Sequence, residues 1–199
     1  MSRPTRKTAR IARWAAVPVA LALSGLAVAQ ASYSAYSDTT VNPTSSWASG
    51  TVDLEDDDAG TALFNASNIK PGATGTKCIA VTSTGSLPSV VKLYGTSAAT
   101  TKSLASSIQL TITQGTGGST AGCSGFTPLS SGASLYSGTL AGFGSASTGY
   151  GNGVGTWAPT GTASETRVYR FAYTLDANAP DSTQGGTASL GFTWEAQNS

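Results

Sequence analysis

The chain has 199 residues and no histidine. That absence decides much of the chemistry. A zinc peptidase site is normally built from imidazole ligands and a carboxylate base, often as H-E-x-x-H on a helix. A serine hydrolase triad needs an imidazole to carry the proton. Neither arrangement is possible here. A carboxylate pair for glycoside hydrolysis needs only acidic side chains. Glu55, Asp56, Asp57, Asp58, Glu165 and Glu195 are candidates, and no spacing singles out a pair. The phosphate-binding glycine patterns are absent, because the glycines sit in loop-like stretches and not at strand-to-helix turns.

One acidic run stands out in a chain that is only 11% charged: Asp53-Leu54-Glu55-Asp56-Asp57-Asp58. Hard oxygen ligands crowded at a strand end can hold Ca²⁺, which makes Asp56, Asp57 and Asp58 candidate calcium ligands. The EF-hand spacing and its closing Glu are missing. The alternative is a solvated acidic turn, or charges that guard a sheet edge against unwanted pairing. Trp47 and Trp157 lie near loops and are candidates for a sugar-binding face. Trp194 lies on the apolar face of a strand and reads as core.

The elements that would position these residues follow a leader. Arg3, Arg6, Lys7, Arg10 and Arg13 precede an apolar run from Ala15 to Ala29. Small-x-small patterns end at Ala29 and Ala31. This is the layout of a secretory signal peptide, with cleavage expected after Ala29 or Ala31 by a signal peptidase. The run is shorter than the roughly 20 residues that span a bilayer. The reading is a signal peptide over 1–31 and one domain over 32–199, with no membrane attachment after cleavage. Six of the eleven basic residues remain after cleavage, against ten acidic ones. A net charge near −4 argues against nucleic acid, whose phosphates need a basic footprint.

In an exported chain, the two cysteines, Cys78 and Cys123, are expected to form a disulfide. A zinc or redox site is disfavoured, since there is no C-x-x-C.

The mature region reads as short strands separated by turn chemistry. Strands are expected at 50–54, 62–67, 76–82, 89–94 and 107–113. Two stronger ones follow at 167–175 and 188–197, each with an apolar face of period two. The segment 134–143 fits a strand or a helix. The glycine-rich stretches 115–125 and 142–155 read as weakly ordered loops. Alternation with one apolar face means sheets half-buried against a second layer. The fold class is therefore all-β, a jelly-roll-like β-sandwich in a single domain.

Tyr36-Ser37-Asp38-Thr39-Thr40 is followed by Trp47-Ala48-Ser49-Gly50-Thr51-Val52-Asp53-Leu54. Then come 64–72, FNASNIKPG, and 79–87, IAVTSTGSL. Gln184-Gly185 and Phe192-Thr193-Trp194-Glu195-Ala196-Gln197 close the chain. In order and spacing these resemble the TasA/camelysin family of secreted Gram-positive proteins, with the look of an actinobacterial branch. The resemblance implies a jelly-roll-like sandwich and a role as a surface or biofilm-matrix fibre subunit. It also implies metal-dependent proteolysis in the camelysin members, which a chain without histidine is poorly equipped to perform.

These readings converge on a structural role through β-strand addition, with the chain itself or other matrix subunits as partners. The released segment around 32–45, marked by Tyr33 and Tyr36, is either a donor strand or the first strand of its own sheet. A monomeric module that binds wall glycan through loops near Trp47 and Trp157 is the competing reading.

Overall fold

Alternating side chains in the described part of the chain, residues 49–198 of a computed structural model, lay down two antiparallel sheets. The larger sheet holds β1 (Leu54–Asp56), β2 (Thr74–Ser83), β4 (Ile108–Thr116), β5 (Thr127–Pro128), β6 (Ser134–Thr139) and β8 (Glu165–Leu175). Its order is β1-β2-β8-β4-β5, and β6 also pairs with β4. The smaller sheet holds β3 (Ser89–Thr100), β7 (Val154–Trp157) and β9 (Ala188–Asn198), ordered β7-β3-β9. The all-β sandwich reading holds.

The inner faces meet in a main core, with a second, smaller cluster around Leu104, Ile108 and Leu175. Ile79 and Val81 on β2, Leu110 and Ile112 on β4, and Tyr169 and Phe171 on β8 pack toward Val91 and Leu93 on β3. Phe171 carries the contact across the layers. Its ring centroid lies 4.6 Å from Phe192 and 6.0 Å from Trp194. A fully buried side chain of this kind contributes about 1.5–3 kcal/mol through burial, and ring–ring geometry adds to it. Trp157 joins this core at 5% exposure, so it is not a loop aromatic offered to a sugar.

Several expected elements come out differently. The strand expected at 50–54 begins only at Leu54 and takes in Glu55 and Asp56. Earlier in that stretch, the Thr51 carbonyl instead accepts the N–H groups of Ser86 and Leu87 at 2.8 and 3.1 Å. No strand forms at 62–67. Ala59 and Asn68 adopt positive φ on either side of that segment, which breaks an extended run. Its apolar residues pack without a ladder, and Phe64 sits edge-on to Tyr173 at 5.1 Å.

The ambiguous segment 134–143 is both of its options in succession: β6, then a helix over Leu140–Ala146. The Thr139 hydroxyl caps that helix by accepting the Gly142 N–H at 3.0 Å. The glycine-rich stretch 142–155 is ordered, contrary to its composition. Phe143 is fully buried against Tyr136 and Phe192. A 3-10 turn at Tyr150–Asn152 is held by Asn152, whose side-chain oxygen accepts the Thr148 and Gly149 N–H groups. One deeply buried ring and two local caps supply the order that glycine content argued against.

Candidate functional site

The cysteines pair. Cys78 and Cys123 form a disulfide with Cα atoms 5.3 Å apart. It lies on the outer face of the larger sheet, not between the layers. Cys78, Arg170 and Thr113 are register neighbours across β2, β8 and β4. The loop from Gly117 to Phe126 folds over that row. The bridge ties it at Cys123, and the Phe126 ring stacks 4.7 Å from the Arg170 guanidinium. This flap explains why Cys78, Thr113 and Val168 are buried although they face away from the core.

The acidic run sits at the end of β1. Asp57 is spent on backbone donors: one carboxylate oxygen accepts the Ala80 N–H at 2.8 Å and the other the Thr120 N–H at 2.8 Å. Asp58 accepts the Gly60 N–H at 2.7 Å, and Asp56 accepts the Asp58 N–H at 3.3 Å. Burial, then the neighbouring Asp58, pushes the Asp56 carboxyl up from its ordinary value. Among the described residues, no three His, Cys, Asp or Glu side chains converge as a metal-holding group. The run therefore behaves in part as a turn and clasp.

The other carboxylates are dispersed. Glu165 accepts from the Thr160 N–H at 2.6 Å and its hydroxyl at 2.8 Å, and these bonds hold its carboxyl below the usual range. Glu195 accepts from Tyr94 and Gln197 on the outer face of the smaller sheet. Each has its own hydrogen-bond partners. Ala29, Ala31, Tyr33, Tyr36 and Trp47, with the segment 32–45, lie outside the described residues.

The feature that sequence reading missed is a cleft. β9 pairs with β3 along one edge, and no described strand pairs with the other. Beside that free edge lies an opening of about 1070 Å³. Leu190, Phe192 and Trp194 line it from β9, Ile79 and Leu110 from the larger sheet, and Phe64 from the irregular segment. A smaller recess of about 280 Å³ lies between β1 and β9, lined by Leu54, Glu55, Asp56, Val81, Phe192, Thr193 and Trp194. The run Leu190, Phe192, Trp194 was legible as an apolar face. That its strand stands at a sheet edge was not.

An unpaired edge beside an apolar trough can accept an extended segment. Backbone N–H and C=O groups would supply the affinity, and alternate side chains would fill the trough.

Residues 10–105 match the family model described as camelysin metallo-endopeptidase, and no match is found among curated proteins. The matched span takes in the acidic run and the first three strands. The metal that this description implies does not fit the donors present. There is no imidazole in the chain, both thiols are in the disulfide, and Asp57 is engaged by backbone N–H groups. No helix among the described residues is long and apolar enough to cross a membrane. The match, the order of motifs and the two-sheet fold together make the chain similar to the TasA/camelysin family, a family with a surface or matrix kind of role.

Proposed function

We propose that the protein is a secreted structural subunit of the cell surface or extracellular matrix, and that it assembles into fibres by β-strand addition. The observation that carries this reading is the edge of β9 that has no strand partner among the described residues, beside an apolar cleft. The donor is the segment 32–41, released at its front by leader cleavage.

The poles of the sandwich support a head-to-tail arrangement. The first described residues meet the β2–β3 turn, where Thr51 bonds Ser86 and Leu87. The end of β9 lies at the same pole, with Asn198 opposite Ser89. Leu104, Ala179 and Ala188 line the cleft toward the start of β9. In this reading, the segment that precedes residue 49 in one copy enters the cleft of the next. Such a contact does not close on itself and propagates as a filament.

The chain is not an enzyme in this reading, and it needs no cofactor. The experiment is to purify the chain from Ser32 as a monomer and follow its size by light scattering and electron microscopy. Filaments from the intact chain, and none from a chain lacking 32–41, are expected. Unchanged assembly of the shortened chain would refute the donor role. A permanent monomer would refute the fibre reading.

A further inference from the structure

We infer that Asn152 is a modification site. With Gly153 it forms a pair that converts spontaneously to aspartate or isoaspartate, and the closed 3-10 turn at Tyr150–Asn152 holds the reaction back. Conversion to isoaspartate releases β7, an edge of the smaller sheet. The inference stands apart from the assembly reading.

Asn152-Gly153 is the only Asn-Gly pair in the chain. The chemistry needs no enzyme and no cofactor. The Gly153 nitrogen gives up its proton and attacks the Asn152 Cγ. One C–N bond forms, ammonia leaves, and a five-membered succinimide results. Water then opens the ring at one carbonyl or the other. One opening gives aspartate. The other gives isoaspartate, whose main chain runs through Cβ and Cγ and is one carbon longer. Glycine is the favourable neighbour because it has no Cβ to crowd the attack. Asn152 is exposed, so water reaches it.

The fold itself demands this reactive pair. The Asn152 side-chain oxygen accepts the Thr148 and Gly149 N–H groups at 3.0 and 2.9 Å, and its amide nitrogen donates to the Thr148 hydroxyl at 3.1 Å. Only an amide side chain both accepts and donates in this way. Gly153 has an ordinary φ of −67°. It is needed for space: a Cβ there would lie 3.1 Å from the Leu93 carbonyl oxygen and 3.1 Å from the Lys92 Cβ on β3.

The same contacts restrain the reaction. Three hydrogen bonds hold the amide toward Thr148 and Gly149, whereas attack needs it swung onto the Gly153 nitrogen. That nitrogen is engaged as well, donating to the Tyr150 carbonyl at 3.3 Å. Conversion therefore waits on local opening of the turn.

The two products differ in consequence. Aspartate keeps an oxygen for the Thr148 and Gly149 N–H groups. Isoaspartate inserts a carbon just before β7, which begins at Val154. It disrupts the turn that docks Tyr150, whose hydroxyl donates to the Val90 carbonyl at 3.0 Å and whose ring lies 5.0 Å from the Lys92 ammonium.

The chain from Ser32 would be incubated in mildly alkaline buffer, folded in one sample and unfolded in guanidinium chloride in another. Mass spectrometry follows the peptide that holds Asn152, and an isoaspartate methyltransferase reports the β-linked product. The folded chain is expected to convert at least about tenfold more slowly, the scale of the hydrogen bonds that opening breaks. Thr148→Ala is expected to speed the folded reaction about fivefold, the scale of one such bond. Equal rates in the folded and unfolded chains would overturn the inference. That comparison uses no variant, so it holds even if Thr148→Ala misfolds. Folded chain carrying isoaspartate is expected to melt at a lower temperature than the unmodified chain, and an unchanged melting temperature would overturn the release of β7.

Discussion

Asp57 holds Thr120 at two points. Its carboxylate accepts the Thr120 N–H at 2.8 Å, and its backbone carbonyl accepts the Thr120 hydroxyl at 2.7 Å. The other carboxylate oxygen takes the Ala80 N–H. One side chain therefore ties the end of β1 to β2 and to the flap over the outer face. Replacing Asp57 with Ala leaves two backbone donors to find water. The expected loss is about 1.5 kcal/mol, or roughly 3–6 °C in Tm for a domain of this size. Asp57→Asn should recover part of it, since one amide oxygen can still accept. Thermal unfolding of the three proteins side by side is the measurement.

The disulfide closes a loop with a sequence separation of 45. Chain-entropy arguments give about 4 kcal/mol for that length. A Cys78→Ser, Cys123→Ser protein should lose stability on that scale in urea, and reductant should have no further effect on it. The wild-type protein in reductant should approach the double variant. If wild type and double variant share a midpoint, the flap docks without help from the bridge.

Gly115 marks where β4 meets the flap. A methyl group there would strike the Thr127 carbonyl oxygen and come within 2.9 Å of the Phe126 ring. Gly115→Ala is expected to cost about 1–3 kcal/mol by overpacking. Gly149 is the control, because a methyl group there meets nothing and its φ of −175° is ordinary extended backbone. Gly149→Ala should change stability little. Denaturant midpoints of the pair distinguish local crowding from a general dependence on glycine.

Tyr169 is 2% exposed, and burial drives its phenol well above the ordinary tyrosine range. The folded state therefore holds that proton more tightly than the unfolded chain. Its contribution is fully present below the unfolded value near 10 and is lost as pH rises toward the folded value. Stability should fall above about pH 10, and Tyr169→Phe should move that fall to higher pH. Circular dichroism during alkaline titration reports it. Coincident curves would assign the alkaline transition to other groups.

The sequence by itself determined the strands whose side chains alternate. Ile108, Leu110 and Ile112, and likewise Tyr169, Phe171, Tyr173 and Leu175, declare a buried face because strand geometry has a period of two. The absence of histidine and the small number of cysteines also stand without coordinates, since composition alone limits which ligands and nucleophiles exist.

Tertiary structure alone decided the rest. Nothing local places Cys78 outward, under a flap, or Trp157 inside, on the strand beside β3. Both follow from which strands pair across more than forty residues of chain. Asp57 looked like one of three equivalent carboxylates until Ala80 and Thr120 came within reach of it. The cleft is invisible in sequence for the same reason. The strand carrying Leu190, Phe192 and Trp194 would read identically at the centre of a sheet, and only long-range pairing leaves its second edge, beside the apolar space, without a partner among the described residues.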